Sequence, residues 1–161
     1  MQTDIFIPAR LGSKRLASKH LKEINNVPII KYLVNRLKDC KSITNIVVCT
    51  TNSEQDEKLV EYLEKENILI FRGSEHDIVK RLLDAAKNYD TDLIVDIEGD
   101  KIYTVPEFVD RSVHMMLNSD YDFLMRSSSP TSVDHSDHSV AAVFPAIIKK
   151  SALEKVYSMK K

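Results

Sequence analysis

Residues 8–19 combine small and cationic side chains in a way that could bind an anion. Gly12 lets the backbone approach an anion closely, and Ser13 adds a hydroxyl donor. Four cations accompany them and are charge-assisted donors of the kind that a triphosphate needs, namely Arg10, Lys14, Arg15 and Lys19. The spacing matches neither Walker A nor GxGxxG. Residue types alone therefore leave two interpretations open, a polyphosphate site and a solvated basic loop.

A second candidate site lies at Glu98-Gly99-Asp100. The carboxylate of Asp100 could hold Mg²⁺ that bridges a triphosphate, because Mg²⁺ takes one or two carboxylates together with phosphate oxygens. The alternative is that Gly99 and Asp100 only form a turn. If the preceding strand continues, Glu98 and Asp100 share one face of it. Lys101 could pair with Asp100 and compete with a metal ion.

Alternating strand and helix patterns must position these two segments. Apolar runs predict four strands, at 4–8, 45–50, 68–71 and 92–97. Apolar residues at a 3.6 period predict helices over about 28–40, 53–66, 78–86 and 106–118. This alternation predicts a mainly parallel sheet with helices on both faces. Ligands of such sheets bind outside the carboxyl ends of the strands, where both candidate segments lie.

The last third of the chain is less regular. It predicts short strands at 123–125 and 140–144 and a helix that begins near Ser151. The intervening segment, 127–139, is rich in Ser, Asp and His and is predicted to be a loop. Its His135 and His138 have the spacing of a metal site, but a solvated loop is the simpler interpretation.

Charge and composition exclude several classes of partner. Lys and Arg number 23 and Asp and Glu number 24, so the net charge of −1 argues against binding nucleic acid or acidic membranes. No apolar run approaches the roughly 18 residues of a membrane span. The first ten residues show no signal-peptide pattern, and the two cysteines have no metal spacing. We therefore expect a cytoplasmic protein of one domain.

Several ordered motifs together resemble those of the sugar cytidylyltransferases. This family includes the acylneuraminate and keto-deoxy-octulosonate enzymes and the spore coat polysaccharide biosynthesis protein F group. The opening signature is Ile7-Pro8-Ala9-Arg10-x-x-Ser13-x-Arg15-Leu16-x-x-Lys19, and the likeness continues through 24–30, 46–52, 71–77 and 98–100. The spore coat group matches 71–77 best. The resemblance covers about the first 110 residues.

The resemblance implies a fold and a reaction. The fold would be a Rossmann-like three-layer α/β/α domain of the nucleotide-diphospho-sugar transferase type, spanning 1–161 and shorter at its C-terminus than the family. The reaction would transfer CMP from CTP to a sugar, usually a 2-keto acid sugar of surface polysaccharides, with release of pyrophosphate. CTP, a small sugar and Mg²⁺ are the implied ligands, and a homodimer is the implied assembly.

The resemblance also implies roles for individual residues. Arg10, Ser13 and Arg15 would bind phosphates, and Lys19 would offset the charge on the leaving pyrophosphate, which makes Arg10 and Lys19 the expected catalytic residues. Asp100 would hold Mg²⁺. The full nucleotide-binding set would be Ala9, Arg10, Gly12, Ser13, Arg15, Lys19, Arg72 and Ser74. Arg81 is a further candidate in the same region, with a solvated helix cation as the competing interpretation.

Departures from the family pattern motivate an alternative. Ala17 and Ser18 stand where the family has Pro and Gly, and His20, which we expect at the surface, replaces Asn or Pro. In the family, the C-terminal part supplies a second acidic residue that binds the metal ion. Nothing after Val143 clearly provides that residue here. The alternative is a truncated or catalytically altered nucleotide-binding domain without turnover. A nucleotidyltransferase that uses a different base is a third hypothesis.

Overall fold

The computed structural model describes residues 1–12, 16–125 and 143–160. Its strands are β1 (Thr3–Pro8), β2 (Glu23–Ile24), β3 (Val27–Pro28), β4 (Asn45–Thr51), β5 (Leu69–Gly73), β6 (Leu93–Asp96), β7 (Phe123–Met125) and β8 (Ala146–Lys149). Its α-helices are α1 (Ile29–Leu37), α2 (Glu57–Lys65), α3 (Ile78–Asn88), α4 (Pro106–Leu117) and α5 (Lys150–Ser158). Two 3₁₀ turns lie at Lys19–Leu21 and Glu54–Asp56. The predicted loop 127–139, with His135 and His138, lies outside the described residues.

The central sheet has the order β5-β4-β1-β6-β8-β7. The first four strands in this order are parallel, and β8 runs antiparallel to both β6 and β7. This mainly parallel arrangement confirms the predicted Rossmann-like α/β fold. Because β5, β4, β1 and β6 point the same way, their carboxyl ends form one continuous edge of the sheet.

Residues 140–142 of the strand predicted at 140–144 lie outside the described residues, and the described part, 143–144, is not in a strand. The strand that pairs with β6 is Ala146–Lys149, and residues 143–145 precede it without strand pairing. Pro145 has no backbone N–H to donate to a ladder, and the strand begins at the next residue, Ala146. The predicted strand at 123–125 and the helix near Ser151 are confirmed as β7 and α5.

Two apolar clusters cover the two faces of the sheet. In β1, Ile5 and Ile7 face the cluster formed with α1, α2 and α4, and Phe6 faces the cluster formed with α3 and α5. This alternation follows from the two-residue period of a strand, and it places helices on both faces. The structure thus has the three layers that the sequence predicts. Within the described ranges, no helix has the length and apolar character needed to cross a membrane.

A buried aspartate fixes β1 at its amino end. Asp4 is 0% exposed, and its Oδ1 accepts hydrogen bonds from the backbone N and the Nδ2 of Asn45, at 2.9 and 3.0 Å. Its Oδ2 accepts from Thr91 Oγ1 at 2.5 Å and from Gln2 Nε2 at 3.2 Å. The carboxylate therefore ties β1 to the start of β4 and to the turn before β6.

We expect Asp4→Ala to lower the free energy of unfolding by about 2–4 kcal/mol, because it leaves buried donors without an acceptor. Asp92→Ala is the matched control, since the side chain of exposed Asp92 accepts, from the described residues, a single hydrogen bond, from the backbone N of Gln2 at 2.9 Å. That control is expected to cost about 1 kcal/mol or less. Urea unfolding measures both. Equal losses for the two variants would contradict the buried network.

Candidate functional site

A cleft of about 820 Å³ opens at the carboxyl ends of β1 and β6. It is lined by residues from the loop after β1, the first 3₁₀ turn, the start of α3 and the turn after β6. These residues are Pro8, Ala9, Arg10, Gly12, Lys19, His20, Glu75, His76, Ile78, Arg81, Glu98, Gly99 and Asp100. The cleft lies where an open parallel sheet normally binds its ligand.

The cleft brings together the two segments that the sequence singled out. Ala9, Arg10, Gly12 and Lys19 share its wall with Asp100, although about ninety residues separate Arg10 from Asp100 in the chain. Ser13 and Arg15, the other predicted phosphate ligands in this loop, lie outside the described residues. The loop and the acidic turn therefore face one space, as a single bound nucleotide would require.

The principal charged contact in the cleft joins Lys19 and Asp100. The Nζ of Lys19 donates to Oδ2 of Asp100 at 2.5 Å, and both side chains are partly exposed. Partial burial acts to raise the pKa of Asp100, but the hydrogen bond and positive charge of Lys19 outweigh it and hold that pKa below its usual value. Asp100 is therefore a carboxylate at neutral pH. We expected Lys101 to pair with Asp100 and to compete with a metal ion for it. In the structure the partner of Asp100 is Lys19 instead.

The turn that carries Asp100 is not a continuation of the strand. β6 ends at Asp96, and the backbone N of Lys101 donates to the carbonyl of Glu98 at 2.9 Å. The condition for Glu98 and Asp100 to share a strand face is therefore not met. Both side chains nevertheless line the cleft.

Asp96 and Asp100 differ in their electrostatic surroundings. Burial, together with the negative charge of Glu98, raises the pKa of Asp96 to about 6. Oδ1 of Asp96 is buried and has no hydrogen-bond partner among the described residues. The end of β6 and the turn after it thus hold two carboxylates, of which Asp100 ionises at lower pH than Asp96.

His20 is a buried residue, contrary to the expected surface position. It is 3% exposed, and its ring packs beneath the turn that carries Asp100. A Cβ at Gly99 would lie 2.8 Å from His20 Cε1 and 2.9 Å from Nδ1, so the turn needs glycine to accommodate the ring. Burial lowers the pKa of His20, and the charge of Lys19 lowers it further. His20 is thus a neutral packing group at the cleft wall.

A second buried aspartate holds the loop after β1. Asp56 is 1% exposed, and its Oδ1 accepts from the backbone N of Leu11 at 2.7 Å. Its Oδ2 accepts from Thr50 Oγ1 at 3.1 Å, from the backbone N of Thr51 at 3.3 Å and from Thr51 Oγ1. Asp56 was not among the residues predicted from the sequence. In the sequence it is simply an acidic residue soon after the polar end of a predicted strand, and many turns share that pattern.

Arg72 and Ser74 lie outside the cleft lining. The Nη2 of Arg72 donates to Glu57 Oε1 at 2.6 Å, and its Nε donates to the carbonyl of Thr51 at 3.2 Å. Ser74 Oγ accepts from the backbone N of Asp77, at 3.1 Å, where α3 begins. The structure thus gives both side chains partners within the fold, and their predicted contacts with a nucleotide stay predictions.

Arg81 is not the solvated helix cation that the sequence allowed. It is 4% exposed, lies in the first turns of α3 and lines the cleft. Its Nη1 donates to the carbonyl of Ser74 at 3.0 Å. The burial could not be predicted from the helical period alone, because it depends on how β5 and α3 meet.

Sequence comparison places the chain among known proteins. Residues 5–160 match the profile of the cytidylyltransferase family. The chain is 38% identical over 119 residues to an uncharacterised protein of Methanocaldococcus jannaschii, with 74% of this chain and 49% of the relative covered. It is 28% identical over 128 residues to the spore coat polysaccharide biosynthesis protein SpsF of Bacillus subtilis, with coverages of 76% and 53%.

A third relative has a named activity. The chain is 32% identical over 127 residues to 3-deoxy-manno-octulosonate cytidylyltransferase 2 of Hydrogenovibrio crunogenus, with 76% of this chain and 50% of the relative covered. The chain spans about half the length of the curated relatives it matches. Among solved structures, a cytidylyltransferase from Leptospira borgpetersenii superposes with a TM-score of 0.86 at 32% identity, covering 100% of this chain and 66% of that one.

We expect Asp56→Ala to lower the free energy of unfolding by about 2–4 kcal/mol, because it leaves the Leu11 amide and two threonine hydroxyls without their buried acceptor. Amide hydrogen exchange then distinguishes this variant from Asp4→Ala, because Asp4 lies near the amino end of β1 and Asp56 contacts the loop at its carboxyl end. Local exchange at the Leu11 amide should accelerate in Asp56→Ala alone. Acceleration of the same size in both variants would show that the effect is global.

We expect Gly99→Ala to cost about 1–3 kcal/mol of stability, because the new Cβ overlaps the His20 ring. Replacing His20 by alanine as well should restore part of this loss, so the double variant should be more stable than the sum of the single changes allows. Gly12→Ala is the control, since its Cβ meets only the end of the Gln55 side chain. Thermal unfolding of the wild type, Gly99→Ala, His20→Ala and the double variant gives the cycle. Losses of stability that add up in the double variant would refute the overlap.

Proposed function

Because the chain belongs to the cytidylyltransferase family, we propose that it binds CTP in the cleft and transfers CMP to a sugar with release of pyrophosphate. The observation that carries this proposal is the convergence of Arg10, Lys19 and Asp100 on one cleft at the carboxyl edge of the sheet. Cationic donors and an ionised carboxylate in one space suit a triphosphate with its metal ion.

The proposed reaction is a displacement at the α-phosphorus of CTP. A hydroxyl oxygen of the sugar attacks this phosphorus, the bond to the bridging oxygen of the β-phosphate breaks, and pyrophosphate leaves with the electron pair. The hydroxyl proton passes to water. Catalysis of such a transfer depends mainly on positioning and charge stabilisation. Arg10 would bind phosphate oxygens, and the ammonium group of Lys19 would offset the charge that develops on the leaving group.

Asp100 is the residue proposed to hold Mg²⁺. Its low pKa keeps it ionised, and it opens onto the cleft with Glu98 beside it. A hard carboxylate of this kind fits a cation that takes one or two protein oxygens and completes its coordination with phosphates and water. When bound, the ion would neutralise charge on the triphosphate.

The proposed acceptor is a 2-keto acid sugar used in surface polysaccharide synthesis. Two relatives support this choice, one named for 3-deoxy-manno-octulosonate and one for spore coat polysaccharide. A homodimer is proposed on the same resemblance and is to be tested by the molar mass in solution.

The second candidate function is nucleotide binding without turnover. The contact between Lys19 and Asp100 favours it, because the carboxylate that a metal ion needs is already held by an ammonium group at 2.5 Å. Both functions predict binding of CTP in the same cleft. They differ in whether pyrophosphate is released.

The test combines calorimetric titration with a pyrophosphate assay. The wild-type chain should bind CTP more tightly with Mg²⁺ than without it, and should prefer CTP to UTP, ATP and GTP. Asp100→Asn should weaken the Mg²⁺-dependent binding by roughly tenfold or more, since one charged ligand is worth about 1.4 kcal/mol or more. Asp84→Asn is the control, because Asp84 pairs with Lys80 on α3 and does not line the cleft.

Three outcomes are distinguishable in this test. Pyrophosphate release with 3-deoxy-manno-octulosonate or another sugar of a panel supports the transferase. Binding of CTP without release from any sugar favours the second candidate. No preference for CTP over the other nucleotides contradicts both.

A further inference from the structure

The cleft contains a cation whose charge the described protein does not neutralise. Arg81 is 4% exposed, yet its guanidinium forms no ion pair with a carboxylate among the described residues. Its Nη1 donates to the carbonyl of Ser74 at 3.0 Å, and its Nε is buried without a hydrogen-bond partner. Buried charges in proteins are normally paired because their desolvation costs several kcal/mol. An unpaired one at a cleft wall suggests that its counterion is a ligand.

The charges around Arg81 do not supply that counterion. Burial lowers the pKa of Arg81, Cys49 acts to raise it, and the positive charge of Arg10 lowers it. Burial raises the pKa of the Cys49 thiol, so Cys49 is neutral at pH 7 and is no counterion. Asp56 also acts to raise this pKa, but its carboxylate forms no ion pair with Arg81 and accepts hydrogen bonds from Leu11, Thr50 and Thr51. Arg10 and Arg81 therefore reinforce each other as attractors of an anion and repel each other without one.

The fold makes room for this arginine. A Cβ at Gly73, the last residue of β5, would lie 3.0 Å from Arg81 Cγ and 2.8 Å from Phe71 Cε1. Glycine at the strand end thus allows the aliphatic part of Arg81 to pack against the backbone. The side chain is held in place by packing and by the Ser74 carbonyl, and no acid of the described residues pairs with it. A cation that is fixed before its ligand arrives loses little entropy on binding.

Arg72 differs from Arg81 in each of these respects. Its guanidinium is paired with Glu57 at 2.6 Å, is bonded to the Thr51 carbonyl and stands outside the cleft lining. Arg81, and not Arg72, is thus the arginine near the start of α3 that has no carboxylate partner among the described residues.

We propose that Arg81 binds phosphoryl oxygens of the nucleotide directly and forms with Arg10 a two-arginine anion subsite in the cleft. This inference rests on the proposed function for the identity of the ligand as a nucleotide, but the anion subsite itself does not depend on the base. A guanidinium recognises phosphate through paired N–H donors, which suits this role better than an ammonium group does.

The experiment measures the affinity of inorganic triphosphate and of CTP, each with Mg²⁺, for the whole chain. Arg81→Gln should weaken both ligands by the same factor, roughly 10- to 100-fold, which is the value of a charge-assisted hydrogen bond. Arg81→Lys should lie between this variant and the wild type. Lys87→Gln is the matched control, because it removes one positive charge from an exposed position on the same helix.

Thermal unfolding without ligand provides an independent readout. A structural arginine would lower the melting temperature when replaced, whereas removal of an uncompensated buried charge should leave it unchanged or raise it. If Arg81→Gln does not fold, which would show a structural role and count against the proposal, Arg81→Lys still tests the binding. Equal affinity of wild type and Arg81→Lys for both ligands would then overturn it.

The outcomes separate this inference from the proposed function. Parallel loss of triphosphate and CTP affinity supports the subsite, even if the wild type shows no preference for CTP over other nucleotides and the proposed function fails. Loss for CTP alone would show that Arg81 contacts the base or the ribose and would overturn the subsite. Unchanged affinity for both ligands, or no binding of triphosphate to the wild type, would overturn it as well.

Discussion

The position of β1 between β4 and β6 determines where the chemistry of this protein can occur. Parallel pairing on both sides brings the carboxyl ends of the three strands to one edge, and the chain leaves β1 there with Ala9, Arg10 and Gly12. The chain leaves β6 at the same edge with the turn that carries Asp100. The sheet thus makes neighbours of two segments that are remote in sequence, and the contact between Lys19 and Asp100 joins them in the cleft.

Two buried aspartates give β1 its fixed position at both ends. Asp4 accepts four hydrogen bonds at the amino edge, and Asp56 accepts backbone and hydroxyl donors at the carboxyl edge. The chemistry is the same, but the consequences differ. Asp4 contributes only to stability, because no part of the cleft lies near its edge. Asp56 also accepts a hydrogen bond from Leu11 in the loop after β1. It thereby helps to position Arg10 and Gly12, the two neighbours of Leu11 that line the cleft.

Most of the elements and the two candidate segments could be predicted from the sequence, because they depend on local patterns, whereas the short strands β2 and β3 and the position of β8 could not. Apolar runs give the strands, and the motifs at 8–19 and 98–100 directly follow two of them. The roles of His20, Asp56 and Arg81 could not be predicted, since each depends on contacts with residues far away or on another element. The His20 ring is covered by Gly99, and Asp56 meets Leu11 across the edge of the sheet. Periodicity records which face a residue lies on, but not which distant loop covers it.

The cleft shows how a site can hold a buried arginine that no described carboxylate neutralises. Lys19 is neutralised by Asp100, but Arg81 is neutralised by nothing that the structure describes, and Arg10 opposes it. An arrangement of this kind lowers the stability of the free protein and is stabilised when an anion binds. The same electrostatics explain why an acid facing Arg81 would be unfavourable for function: it would satisfy the guanidinium and remove its attraction for phosphate. In this proposal, the unfavourable free energy of burying Arg81 without a partner is recovered when a phosphate binds, so the unpaired arginine increases the affinity for the anion.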